Sequence, residues 1–183
     1  MHPKPAVTRE IARLPDRRED AHKGDVGRIV IIASADSSLK ADGSLDDLKA
    51  ALTDGRVTKF AIANPDHAPY GKRAEEALRH QGLWDAIRPK LVFGENVSQA
   101  AQFATSSNAE GGIIAYSLAV SPKVSAPGAF ALIPDHWHLP LRQRMVLLED
   151  AGPVAERFFT YVQQSVARAI FRNNGFVLAG ESN

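Results

Sequence analysis

The sequence predicts an α/β fold with a doubly wound, mostly parallel sheet and helices on both faces. Three observations carry this expectation. Short apolar runs recur along the chain, led by Ile29-Val30-Ile31-Ile32-Ala33, and such runs suit strands buried on both faces of a parallel sheet. Segments with helical spacing, caps and glycine stops alternate with them, as βαβ units require. With 44% hydrophobic and 23% charged residues, a chain of 183 residues can build one substantial core, or two small lobes sharing a hinge.

Taken in order, residues 1–26 read as a charged tail or remnant, and residues 27–183 as the α/β domain. Pro3, Pro5, Pro15 and the run Asp16-Arg17-Arg18-Glu19-Asp20 leave little apolar surface to bury, so at most a short helix over 8–14 is expected. The first strand is 29–33. Ser44 is placed to cap a helix through Leu52, with acids in its first turn and Gly55 as its stop. A strand over 59–63 follows, then a helix over 70–80 with Ala74, Ala77 and Leu78 on one face and Gly82 beyond it. A short helix over 83–87 and a strand over 91–93 come next. Asn96 is placed to cap a helix over 97–104, and 112–116 is a further strand. Runs at 129–133 and 145–148 are read as strands where the sheet becomes mixed, and helices over 152–164 and 166–172 close the chain.

Composition excludes several function classes. A formal net charge of +1 supplies no global field for nucleic acid or an anionic membrane, so any anion site must be local. The absence of cysteine removes thiolate metal sites and cysteine nucleophiles together. No apolar run approaches the roughly 20 residues that span a bilayer. Residues 1–23 also lack the apolar middle of a secretory signal, so either a signal has been removed or the chain is not exported.

In doubly wound sheets, ligands sit beyond the carboxyl ends of strands, where helices begin. Two turns meet that rule. The first, Asn64-Pro65-Asp66-His67-Ala68-Pro69-Tyr70-Gly71, leaves the amides of Tyr70 and Gly71 at the positive end of a helix dipole, and Gly71 permits close approach. The second, Glu95-Asn96-Val97-Ser98, offers the same after the next strand. Two helix starts facing one crevice form an uncharged receptor for a compact oxyanion; two ordinary caps are the alternative.

At these turns the chain resembles the molybdate-binding proteins of ABC transporters. The 64–71 turn is similar to the family form D-P-x-H-x-P-x-G, and Gly82-Leu83-Trp84 to its G-x-W. Lys90-Leu91, Glu95-Asn96-Val97, Gly112-Ile113-Ile114-Ala115-Tyr116-Ser117 and Ile170-Phe171-Arg172-Asn173-Asn174-Gly175-Phe176 continue the resemblance in order. It implies a lobe like that of type II periplasmic binding proteins. It also implies capture of molybdate or tungstate by hydrogen bonds alone, an ABC permease as partner, a periplasmic location, and neither cofactor nor catalysis. Carried over by position, the family's amide donors fall on Tyr70 and Val97.

The resemblance is incomplete at the first lobe. The family's two serine-bearing loops have no counterpart before Ile29, and where relatives use a tyrosine this chain has Ala115, with Tyr116 one place later. On a strand that places Tyr116 on the opposite face unless the strand bulges. Losing three or four donors at about 1.5–3 kcal/mol each lowers the expected affinity by roughly a thousandfold or more. Two readings therefore stand: a weakened oxyanion-binding component of an importer, or an orphan lobe serving as a sensory or interaction module. The second could pair with itself through the surface where the first lobe would lie.

Other residues carry weaker signals. His136-Trp137-His138 suits exposed loop histidines better than a metal site, since no partner cluster is evident. His67 is expected to brace its turn rather than act as a base, and Lys72 and Arg73 to be solvated. Ser98 could add a hydroxyl. Trp84, Phe93, Phe103, Phe158, Phe159 and Phe176 sit at core-like spacings.

Overall fold

Five apolar runs form one sheet, in the spatial order Leu91–Gly94, Phe60–Ala63, Gly111–Ala115, Ile29–Ala33 and Phe130–Leu132. The computed structural model describes residues 22–122, 129–148 and 150–178. The sheet strands are β2 (Ile29–Ala33), β3 (Phe60–Ala63), β4 (Leu91–Gly94), β5 (Gly111–Ala115) and β6 (Phe130–Leu132). Strand β3 pairs in parallel with β4 and β5, whereas β2 runs antiparallel to both β5 and β6. Four strands thus share one direction and β2 opposes them. The sheet was expected to become mixed only after residue 129; the reversal lies at its first strand. A run buried on both faces pairs equally well in either direction, so composition does not reveal this.

A separate two-stranded ribbon joins β1 (His22–Gly27) to β7 (Leu141–Met145), antiparallel and with an irregular register between Lys23 and Val26. This corrects two expectations. Residues 22–26, assigned to the tail, form a strand, and the strand expected at 145–148 ends where it was to begin. The helix expected over 8–14 lies outside the described residues.

The helices are α1 (Asp46–Thr53), α2 (Pro69–His80), α3 (Trp84–Ile87), α4 (Val97–Thr105), α5 (Tyr116–Ala119), α6 (Gly152–Tyr161) and α7 (Ser165–Asn173). Alternation along each strand divides the core in two. Ile29, Ile31, Phe60, Ile62 and Ile113 pack on one face with Leu48 and Ala51 of α1 and Ala74, Ala77 and Leu78 of α2. Val30, Ile32, Ala61 and Ile114 pack on the other with Ala101 and Ala104 of α4. Fully burying each large side chain is worth about 1.5–3 kcal/mol, so the two clusters hold α2 and α4 firmly to opposite faces.

Local details differ where side chains compete for the same amides. Asp42 shares the capping of α1 with Ser44 and does more of it: its carboxylate accepts the amides of Asp46 at 3.1 Å and Asp47 at 3.0 Å, while Ser44 Oγ accepts only that of Asp46, at 3.3 Å. Ser44 donates its hydroxyl to Asp42 and Asp46, and Leu45 takes a left-handed conformation at φ 61° to let the chain enter the helix. Gly82 and Gly175 have the positive φ expected of helix stops. Phe93 and Phe158 depart from their core assignment, at 45% and 61% exposure. On α6, Val154, Phe158 and Tyr161 line up at i, i+4 and i+7 on an exposed stripe, which Val166 and Ile170 of α7 repeat.

Candidate oxyanion site

Residues Ala63 and Gly94 are register partners at the carboxyl ends of β3 and β4, so the chain leaves the sheet twice at the same edge. From there α2 passes to one face and α4 to the other. A crevice between neighbouring strand ends is where such sheets receive ligands.

The first turn is braced from within. Asn64 Oδ1 accepts the amide of Asp66 at 3.0 Å, the Asn64 carbonyl accepts Ala68 N–H at 2.9 Å, and Asn64 N–H donates across to the Gly94 carbonyl at 2.8 Å. Ala68 is extended, Pro69 opens the helix, and Lys72 N–H is the first to find a helical acceptor, the Ala68 carbonyl at 3.0 Å. The amides of Tyr70 and Gly71, one step before it, have no helical acceptor to turn to.

The second turn repeats this arrangement. Asn96 Oδ1 accepts the amide of Gln99 at 3.0 Å, and the Asn96 carbonyl accepts Ala100 N–H at 3.0 Å. Gln99 Oε1 reaches back to the amide of Glu95 at 2.7 Å. The cap spends its oxygens on Gln99 and Ala100, so the amides of Val97 and Ser98 remain at the helix start without helical acceptors.

Contact joins the two turns. Ala63, Ala68 and Ala100 form a small buried cluster on which Val97 packs, and it includes the residue before α2 and the first residue of α4. His67 Nε2 lies 3.1 Å from the Glu95 carbonyl oxygen and 3.4 Å from its carboxylate. A carbonyl only accepts, so Nε2 donates there, in the bracing role expected of His67. The Glu95 side chain is 79% exposed and places a negative charge beside the two helix starts.

The other expected residues are placed as follows. Gly71 makes its close approach to the chain's own backbone: a Cβ there would collide with the Ala63 carbonyl and with Asn64. The Tyr70 phenol turns away to the ribbon, where it meets Gly27 and shares a hydrogen bond with Gln143; burial pushes its pKa up, partly offset by Gln143. Lys72 pairs with Glu75 at 2.9 Å and Arg73 with Glu76 at 2.7 Å. Ser98 is exposed. Tyr116 heads α5 instead of ending a strand, which removes the strand-alternation argument against it. Its ring packs against Phe130, at 5.9 Å between centroids, and against Gly175, while its amide donates to the Arg28 carbonyl at 2.9 Å.

His136 stays exposed, Trp137 stacks on His80 at 5.4 Å, and His138 is buried. Among the described residues no three His, Asp or Glu side chains are grouped to hold a metal ion. The link from Tyr70 to Gly27 and Gln143 had no sequence signal, because neither residue belongs to an apolar pattern.

Comparison with known proteins gives a consistent result. The family model described as bacterial extracellular solute-binding protein matches residues 22–177. The molybdate-binding protein ModA of Rhodobacter capsulatus is 34% identical over 75% of this chain and 54% of its own length. That of Azotobacter vinelandii is 33% identical over 74% of this chain and 55% of its own. The chain therefore spans about half the length of these curated relatives. Among solved structures, the Azotobacter vinelandii periplasmic molybdate-binding protein superposes with a TM-score of 0.72 at 27% identity, over 90% of this chain and 69% of that one.

Proposed function

The chain belongs to the bacterial extracellular solute-binding protein family, and from that premise we propose that it binds a small tetrahedral oxyanion, molybdate or tungstate, for an ABC importer in the periplasm. One observation carries the reading: the starts of α2 and α4 share one small buried cluster, to which Ala68 belongs and on which Val97 packs, with the amides of Tyr70, Gly71, Val97 and Ser98 left over by their own helices. Two converging dipoles and four N–H groups suit a compact dianion, and hydrogen bonds to a charged guest are worth about 1.5–3 kcal/mol each. The reading needs no metal, nucleophile or base from the protein. The names of the curated relatives support molybdate as the solute.

The described residues form one wall of such a site, so this chain alone is expected to bind weakly. Ligand-dependent melting tests the proposal, because a receptor gains about 2.7 kcal/mol when ligand stands at 100 times its dissociation constant. Saturable stabilisation by molybdate, stronger than by sulfate or phosphate, is expected. No stabilisation up to millimolar molybdate would rule out this chain as a receptor by itself.

The apolar stripe of Val154, Phe158, Tyr161, Val166 and Ile170 supports a second, compatible reading, self-association through this face. Sedimentation of the wild-type chain should show a dimer that Phe158→Glu disperses. A monomer at every concentration would remove this reading and leave the oxyanion proposal standing.

A further inference from the structure

The two helix starts are held by different means. Asn96 caps α4 with its side chain, which accepts the amide of Gln99 at 3.0 Å. The residue in the same place before α2 is Ala68, which has no side-chain oxygen, and no side chain caps that helix. Gly71, the third residue of α2, adds a helix-weakening glycine to the same turn. An uncapped first turn with a glycine frays unless something outside the helix holds it.

The hold comes from the side. Tyr70, Arg73 and Glu76 follow one another at three-residue spacing and so share one side of α2. All three grip the chain that enters and forms β7. Leu139 N–H donates to Glu76 at 2.9 Å, Arg73 donates to the Leu139 carbonyl at 3.3 Å, and Arg73 and Glu76 pair at 2.7 Å.

Tyr70 is the member nearest the helix start. Its ring packs, half-buried, against the larger core cluster, and its hydroxyl shares a hydrogen bond with Gln143. That hydroxyl also fills the space where a Cβ of residue 27 would stand. Gly27 does not take a positive φ, so glycine serves there by leaving room for the phenol.

We propose that Tyr70 is a positioning residue for the oxyanion crevice: its phenol, seated on Gly27 and Gln143, replaces the missing cap of α2 and so leaves the amides of Tyr70 and Gly71 open to the ligand. Tyr70 has this role only if the crevice takes an oxyanion, as proposed above. A capping side chain at position 68 would also hold the turn, but it would accept the amide of the second or third helical residue. In α2 those residues are Tyr70 and Gly71, the two donors meant for the ligand. A grip from the ribbon holds the same turn without competing for them.

Two substitutions test this in the full 15N-labelled chain, with molybdate titrated by NMR, unfolding followed in denaturant, and hydrogen exchange read at Lys72 and Arg73. Ala68→Ser supplies the absent cap. It is expected to be at least as stable as the parent and yet to bind molybdate about tenfold more weakly, because the serine takes a donor. Tyr70→Phe keeps the ring and removes the hydroxyl; exchange at Lys72 and Arg73 should quicken and affinity fall by about two- to tenfold. Adding Ala68→Ser to Tyr70→Phe should restore slow exchange without restoring affinity, a split that a purely structural tyrosine would not produce.

Parent-like affinity in Ala68→Ser would overturn the proposal, as would parent-like exchange and affinity in Tyr70→Phe, which decides alone should the serine variant not fold. Those results require a parent chain that binds molybdate and leave the oxyanion reading intact. A parent that binds no molybdate would overturn both.

Discussion

Gly71 sets its Cα against the carbonyl of Ala63, the last residue of β3, so closely that no Cβ fits between them. This contact lets α2 begin directly over the strand end that precedes it. The obstacle is backbone rather than a movable side chain. Gly71→Ala is therefore expected to cost about 1–3 kcal/mol, as overpacking does. Denaturant unfolding measures it, and a variant as stable as the parent would mean that α2 shifts freely.

Val97→Pro removes one amide donor with little other change. Proline is accommodated at the first helical position, and Asn96 before it is already extended at φ −148° and ψ 172°. Loss of one hydrogen bond to a dianion should weaken molybdate binding by about 10- to 100-fold. Stability should stay near the parent's. Unchanged affinity in an NMR titration would remove Val97 from the site.

Glu95 brings negative charge to the crevice through its contact with His67. Neutralising it should favour a dianion. Glu95→Gln is expected to tighten molybdate binding by about three- to tenfold at low ionic strength, with the gain shrinking as salt screens the charge. Weaker binding by the variant would show that Glu95 helps to organise the turn more than it repels the ligand.

Glu110 ties the start of β3 to the entry of β5. Its carboxylate accepts the amides of Thr58 at 3.1 Å and Lys59 at 2.7 Å and the Thr58 hydroxyl at 2.9 Å. Burial alone would raise its pKa, but these bonds together outweigh that and lower it. A lowered folded pKa contributes stability above the unfolded value and loses it as pH falls through the folded one. Glu110→Gln should thus cost stability at pH 7, with the difference from the parent narrowing below about pH 4.3, the ordinary glutamate pKa. A gap constant from pH 7 to 3 would contradict this.

Much of the fold was legible because local chemistry imposed it. The apolar runs at 29–33 and 112–116 read as buried strands, the second ending one residue early at Ala115, and Asn96 was placed to cap the helix that begins after it. The rule that helices start at strand ends then located both halves of the candidate site without coordinates.

Other features were not legible, for particular reasons. His22–Gly27 has no apolar alternation, so its pairing with Leu141–Met145 carries no local signature. Ser44 and Asp42 are both good caps, and the larger share taken by Asp42 depends on the path of the loop. Phe158 lies at core spacing, but among the described residues nothing covers the side of α6 that carries it.

The sequence by itself determined the strands and helices that local pattern marks, the starts of α2 and α4 among them, and hence which amides there are left without helical partners. Those properties depend on neighbours a few residues apart. Only the tertiary structure decided that β2 runs against the other strands and that Tyr70 reaches Gln143. Each of these depends on which distant surfaces meet, and burial depends on the sum of such contacts.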